Sequence, residues 1–481
     1  MADIKKNIGW SSILTTLNHI FPLITYPYVS RILGVNNIGI CNFVDSVINY
    51  YSIFAMMGMS YVAIREVAYV KSDAKQLSKT FSSLLTLNLI TTVFMMVVLT
   101  LSIFLVPRFH EHADLMFIGV FKLLFNTFLV EWLYRGLEDF RYITIRSIIV
   151  RILYVVSVFI FVKERSDYPI YYLLLALTIV INATVNLFHS RKFVNFSFRG
   201  LSFSPFIKAF IILGIYHFLT SLYKSFNIVY LGFVAGDEQV GYYTTATKLH
   251  GMILALFTAF TGVMMPRMAT LISSGNRADF NKLFRKSIQV LFVFSFPLIC
   301  LGVVYSDQIV RIISGPGYEL AIPCMQIVMP LVFIIGYEQI LVNQVLMTLK
   351  RDRSIFVNSI IGASVGILLN LCLVPYLNSV GSAIVWIGSE FAVLLSSQYF
   401  ASKYASLKFP YLIMIRYISV SIPLLCVLIA LHCWNPIGMY TIFIAAFFTF
   451  VYFATIELYF FKNEIILNLL KNFKNKINGK E

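Results

Sequence analysis

Apolar residues run through this chain in stretches of roughly 20, the length that crosses about 30 Å of hydrocarbon at 1.5 Å per helical residue. The stretches recur from Gly9 to Phe461. They are continuously apolar and do not alternate every second residue, which predicts helices and not a barrel. The pattern predicts about fourteen spans, near residues 9–30, 40–63, 81–106, 114–133, 147–162, 169–188, 206–232, 240–264, 287–305, 323–347, 355–374, 379–401, 410–432 and 437–460. The fifth is the shortest.

A slower period overlies the first. GVNNIG at residues 34–39 returns as GDEQVG at residues 236–241, and at the same offset of 202 Arg65 falls on Arg267. Ten residues further out of step, LVEWLYRGLEDFRYITIRSII from Leu129 falls on LVNQVLMTLKRDRSIFVNSII from Leu341, aligning Arg141 with Arg353. The chain is built twice. Gly34 and Gly236 both fall in outer loops, separated by an even number of spans. The halves therefore run parallel, related by a pseudo-two-fold axis along the membrane normal. The expected organisation is a six-helix lobe over 1–195, a basic Ser-Pro-ending linker over 196–205, a second six-helix lobe over 206–402, and two added helices with a Lys-rich tail over 403–481.

Composition narrows the class. A chain of 481 residues that is 59% hydrophobic and 12% charged cannot hide its apolar surface in one water-soluble core. It reads as an all-α polytopic membrane protein. Most of its 38 Lys and Arg lie in the even loops, the linker and the tail, while the odd loops hold 5. Cations collect in short cytoplasmic loops, so both termini are expected in the cytoplasm. The same bias accounts for the net charge of +16 without nucleic acid. Lys5 and Lys6 resemble a signal n-region, but no small-residue cleavage site follows, and the first span is expected to be retained. The six cysteines are dispersed at no metal-ligand spacing and read as small apolar residues; no metal or cofactor is expected.

Polar residues within spans are expensive, so their placement carries information. Ser11, Thr15, Asn18, Pro22 and Thr25 share one helical face, as do Asn42, Asp45, Asn49 and Ser52. Tyr216, Thr220, Tyr223 and Asn227 repeat the pattern, and so do Thr244, Thr247, Lys248 and Gly251. These are the repeat-related helices. Their wet stripes predict a cavity lining, with interhelical hydrogen bonding as the alternative. Among cations inside spans, Lys224 lies about 18 Å from the outer end, too deep to snorkel easily. Lys122, Lys248 and Arg416 are the others, Arg416 near enough to an edge to be structural. Arg31 ends the first span, and the matched pair Arg65 and Arg267 ends the second and eighth. Asp45 and Lys248 sit at nearly equivalent depths, as a pair or as separate ion ligands. Glu131 and Arg135 are spaced for a local i,i+4 ion pair. The excess of cations over carboxylates favours an anionic substrate group such as phosphate. With no GxxxxGK[ST] loop, no HExxH and no loop long enough for a catalytic domain, the reading is a transporter, not an enzyme, driven by an ion gradient, the membrane potential or its substrate's gradient. Coupling to H+ or Na+ stays open.

Three segments also carry a family likeness. PLITYPYVSRILGVNNIG from Pro22, REVAYVKSDAKQLSK from Arg65 and EWLYRGLEDFRYITIRS from Glu131 resemble the polysaccharide transport family, the Wzx-type O-antigen and repeat-unit flippases of bacteria. The resemblance in layout covers nearly all of the chain. It implies the multidrug/oligosaccharidyl-lipid/polysaccharide (MOP) exporter fold of the MATE/MurJ type: two six-helix lobes about a cavity open alternately to either side, plus two helices. It also implies an undecaprenyl-pyrophosphate-linked oligosaccharide as substrate, a bacterial inner-membrane location, and the polymerase and chain-length regulator of the same pathway as partners. A cationic cavity would hold the pyrophosphate while the isoprenoid tail stays in lipid. Two other classes remain: a MATE-like drug/cation antiporter, which would need carboxylates to dominate the cleft, and a membrane enzyme acting on lipid-linked sugars, which would need a large outer loop or a His-Asp pair.

Overall fold

The computed structural model describes residues 2–197, 200–434 and 439–461; within its helices the side chains of residues 2–9, 11–20, 216, 220, 223, 224, 256, 259 and 263 lie outside the description. The described residues form helices and no strand. In chain order these are α1 (Ala2–Met56), α2 (Met59–Val70), α3 (Ala74–Leu105), α4 (Pro107–His110), α5 (Ala113–Thr127), α6 (Glu131–Gly136), α7 (Phe140–Phe161), α8 (Tyr168–Ser190) and α9 (Ser204–Ala235). They continue with α10 (Asp237–Ser273), α11 (Arg277–Val304), α12 (Ser306–Ser314), α13 (Ala321–Val328), α14 (Leu331–Gln339), α15 (Asp352–Ala405), α16 (Tyr411–Trp434) and α17 (Met439–Thr455). Among the described residues nine helices are long and apolar enough to cross a membrane, or eleven if each of two bent pairs counts as one span. The count falls below the expected fourteen because α1 and α15, each long enough for two of the expected spans, enter it once although the backbone leaves helical geometry at Gly34 and at Asn378, and because α9 offers only the shorter apolar pieces Ser204–Leu219 and Ser225–Ala235.

Helix ends follow local chemistry. The Asp73 carboxylate accepts from the Lys75 and Gln76 amides to start α3, Asp139 accepts from Tyr142 N to start α7, and Asn276 accepts from Asp279 N to start α11. The chain turns at Gly34 (φ 76°, ψ 170°) and at Gly236 (φ 86°, ψ 176°), a backbone region open essentially to glycine alone. These are matched positions of the two repeats.

The chain divides into two compact units. The first comprises Met1–Thr245, Ile313–Tyr318 and Gly362–Ser389. In it α1 packs against α3, α5, α7, α8 and α9, and α2 packs against α3, α6 and α9. A core of Val62, Val67, Phe81, Trp132, Leu133 and Tyr134 is buried there. Helix association in lipid cannot rely on the hydrophobic effect, so close backbone approach and polar bonds carry it. Both are present where the start of α10 crosses α1. A Cβ on Gly39 would strike the Asp237 carbonyl, and a Cβ on Gly241 would strike the Val35 carbonyl. Residues 35 and 39 occupy the repeat positions of 237 and 241, so the crossing is two-fold in itself. The segment after α8 is fastened to α3 through serines: the amides of Asn195, Ser197 and Ser202 donate to the hydroxyls of Ser78, Ser82 and Ser83 at 3.1, 3.0 and 3.1 Å.

The second unit comprises Ala246–Ile312, Glu319–Ile361 and Glu390–Glu481. α11 lies against α13, α14, α16 and α17 around buried Phe292, Tyr337, Leu424 and Leu428. Tyr417 donates a hydrogen bond to the buried Glu457 carboxylate, which sits on a π-turn at Ile456–Phe460. Long apolar residues such as Phe104, Leu105 and Phe121 in the first unit, and Phe443, Phe447 and Phe450 in the second, point outward. That inverted pattern is what lipid contact requires.

Candidate functional site

The polar face expected on the second limb of α1 divides into groups that are already bonded and groups that stay open. Asn42 Nδ2 donates to Thr244 Oγ1 at 2.9 Å, so this residue ties α1 to α10. One turn on, Asp45 accepts from Lys122 of α5. The Asp45 side chain is 43% exposed and that of Lys122 17%. The Lys122 ammonium also lies 5.8 Å from the centre of the buried Tyr172 ring on α8. A further turn along, Asn49 is exposed on the same face. Asp45 and Asn49 of α1 and Lys122 of α5 thus form a charge-balanced polar patch, with the Tyr172 ring of α8 beside the ammonium. An incoming anion can compete with Asp45 for Lys122, and an incoming cation can compete with Lys122 for Asp45. Lys122 was read from sequence only as one cation inside a span; nothing in the spacing joined it to Asp45, which lies 77 residues away.

The other expected residues scatter. Asn227 is 1% exposed: it accepts from Asn370 Nδ2 at 2.6 Å and lies 3.4 Å from both Tyr243 Oη and the Ser382 carbonyl. Its polarity is consumed inside the bundle. Arg31 is exposed, with its stem against Gly315, where a Cβ would sit 3.0 Å from Arg31 Cγ. The segment that carries Gly315 is clamped to α1 beside it, since Tyr318 Oη donates to the Ser30 carbonyl at 3.0 Å. Burial pushes the Tyr318 phenol well above its ordinary value and keeps it a donor. Arg65 is exposed and bonds its neighbour Glu66 at 2.8 Å. The side chains of Asn18, Tyr223 and Lys224 lie outside the described residues. In the second unit Lys248 is partly buried and Arg267 exposed.

Two clusters were not foreseen. Glu131 makes the expected local pair with Arg135 at 3.5 Å and, unforeseen, a shorter one with Arg146 at 2.6 Å. The reason is a break between α5 and α6, where Val130 adopts a left-handed φ of 37° and turns Glu131 towards α7. The second cluster lies at the start of α10. Arg108 Nη2 lies 2.8 Å and His112 Nε2 3.0 Å from the two oxygens of Asp237, and Arg108 also stands 5.5 Å from the Phe43 ring centre. Asp237 was visible only as part of a turn motif. Among the described residues no group of three His, Cys, Asp or Glu is placed to hold a metal.

Comparison with known proteins gives this geometry a context. A family model described as "Polysaccharide biosynthesis protein" matches residues 4–272, and one described as "MatE" matches residues 213–372. A protein of Escherichia coli (strain K12) named "Putative O-antigen transporter" is 25% identical over 404 residues, 81% of this chain and 94% of its own. One of the same name from Shigella dysenteriae is 23% identical over 403 residues, 82% and 98% of the two chains. Among solved structures, "Lipid II flippase MurJ, inward closed conformation" superposes with a TM-score of 0.76 at 14% identity, over 93% of this chain and 98% of that one. An inward-facing multidrug resistance MATE family transporter of the MOP superfamily gives 0.63 at 12% identity, over 80% and 94%. The structural likenesses establish the fold, and the expected all-helical MATE/MurJ architecture stands.

Proposed function

Because this chain belongs to the polysaccharide biosynthesis protein family, whose model spans residues 4–272, we propose that it carries an undecaprenyl-pyrophosphate-linked oligosaccharide repeat unit across the bacterial inner membrane by alternating access. The observation that carries the reading is the near full-length similarity to proteins named as O-antigen transporters. The flippase fold and the absence of a catalytic constellation in the sequence support it. In this reading the protein is a transporter and not an enzyme, both termini face the cytoplasm, and the two sequence repeats are the bodies that move. The diphosphate is held by cations on polar helix faces, with Lys224 the foremost of them. Lys122 becomes available when Asp45 turns to another partner. The repeat-unit polymerase and chain-length regulator receive the product.

The experiment is complementation. A strain deleted for its repeat-unit flippase, supplied with this chain and its cognate glycosyltransferases, is expected to regain surface polysaccharide. Continued absence of surface polymer, with the protein present in the membrane, overturns the reading. A second reading, drug/cation antiport, is favoured by the MatE match over residues 213–372 and by the exposed Asp45 carboxylate. It is tested by drug tolerance on expression: raised tolerance without polysaccharide rescue selects it.

A further inference from the structure

A cavity of about 510 Å³ opens between α7 and α8 on the first unit. Its walls are apolar: Ile145, Ile149 and Leu153 recur every fourth residue along α7, and Ile181 and Val185 face it from α8. All five are exposed. Its polar lining is confined to the end where Asp139, Arg141, Tyr142 and Arg146 lie. From Arg141 to Leu153 the helix rises about 18 Å, close to the roughly 15 Å hydrocarbon depth of one leaflet.

The charged end carries a slight cationic excess, three arginines (Arg135, Arg141 and Arg146) against two carboxylates: Asp139 caps α7 through Tyr142 N, and Glu131 pairs with Arg146 and Arg135. The Tyr142 hydroxyl is turned to the Val185 carbonyl and Asn186 Oδ1. Arg141 is exposed at this end. Arg146 is 5% exposed; its Nη2 bonds Glu131 and Ser147, while its Nε and Nη1 are buried without a hydrogen-bond partner. A buried charged donor left without an acceptor is costly, so a guanidinium in this position calls for one.

We infer that this groove is a binding site for a membrane phospholipid with an anionic headgroup: one acyl chain lies along Ile145, Ile149 and Leu153, and the phosphate region is held at Arg141 and Arg146. Basic pockets between helices at a membrane surface hold anionic headgroups in this manner. The apolar wall, about 12 Å long from Ile145 to Leu153, distinguishes a lipid from a soluble anion. The site is separate from the Asp45–Lys122 patch and does not rest on the transport reading.

The test uses the full-length protein in nanodiscs of equal phosphatidylglycerol and phosphatidylcholine, followed by extraction into mild detergent and counting of retained lipids by native mass spectrometry. Wild type is expected to retain phosphatidylglycerol several-fold over phosphatidylcholine. Leu153→Trp, which fills the apolar part of the groove, is expected to lose that lipid at an unchanged thermal midpoint. Arg141→Gln is expected to hold both lipids alike. Arg146→Gln is expected to do the same, and since it also strips Glu131 of a partner, Arg141→Gln and Leu153→Trp keep the test decisive if it fails to fold. Equal retention of both lipids by wild type, or full retention by Leu153→Trp, overturns the assignment. Displacement of phosphatidylglycerol by an equal concentration of a polyprenyl diphosphate also overturns it, in favour of a carrier lipid.

Discussion

Asn42 and Thr244 occupy the same position of the two repeats, and they hydrogen-bond to each other at 2.9 Å. Two equivalent residues can touch in this way only next to the axis that relates them. Their bond therefore marks the pseudo-two-fold at the crossing of α1 and α10. Polar pairs between membrane helices contribute about 0.6 kcal/mol on average. Asn42→Ala is expected to lower stability by about that amount, and adding Thr244→Ala to cost little more. Thermal unfolding of the purified single and double variants checks the non-additivity; simple addition removes the coupling.

The same crossing leaves no room for side chains at its centre. Gly39→Val would drive atoms into the Asp237 carbonyl, and overpacking of this kind costs about 1–3 kcal/mol or more. Loss of monodisperse protein on size exclusion is expected for Gly39→Val and for Gly241→Val, whose Cβ would meet the Val35 carbonyl. Wild-type behaviour from either variant would contradict the close approach.

Gly236 isolates backbone strain from crowding. Nothing lies within 4 Å of a Cβ built on it, yet its φ of 86° with ψ of 176° is open to glycine almost alone. Gly236→Ala is expected to cost about 1–3 kcal/mol through conformation only. The midpoint of thermal unfolding reads it, and Gly34→Ala is expected to match it, since its nearest neighbour would be Arg165 Nε at 3.9 Å.

Lys122→Ala leaves the Asp45 carboxylate without this ammonium. Because the Asp45 side chain is 43% exposed, the cost lies between that of a surface pair and a buried one, about 1–3 kcal/mol. Asp45→Asn in the Lys122→Ala background is expected to recover part of it. A double-mutant cycle on unfolding midpoints measures the recovery, and its absence would mean the pair is not coupled.

Lys224→Ala is expected to abolish repeat-unit export while the protein still accumulates in the membrane. Surface polysaccharide on immunoblot, set against membrane-fraction protein, is the readout. Normal polymer from this variant removes Lys224 as a ligand.

The membrane class, the helical fold and the duplication were legible because each leaves a period in the sequence: about 20 apolar residues per span and an offset of 202 between GVNNIG and GDEQVG. The pairing of charges leaves no such period. Asp45 finds Lys122 on another helix, and Glu131 finds Arg146 across a break that depends on the left-handed Val130, a conformation that a β-branched residue does not announce. Helical spacing correctly put Asn42, Asp45 and Asn49 on one face, but it does not fix the rotation of that face towards a neighbour. Asn42 is bonded to Thr244 and Asn49 remains exposed. Asn227 shows the limit most plainly, since its spacing matched a wet stripe and its amide is enclosed by Asn370 and the Ser382 carbonyl.

The glycine crossing has the form of an isologous contact, in which residue 35 meets 241 and residue 39 meets 237. Isologous contacts are the kind that two identical subunits make with each other. A separate half-length chain would have to accept every substitution twice, once on each side of such an axis. Joined in one polypeptide, the two sides are released from that constraint. Ser46 in one repeat stands where Lys248 stands in the other, and Asp45 where Thr247 stands. The shared frame preserves the joint, and the covalent link permits an unequal distribution of charge around it.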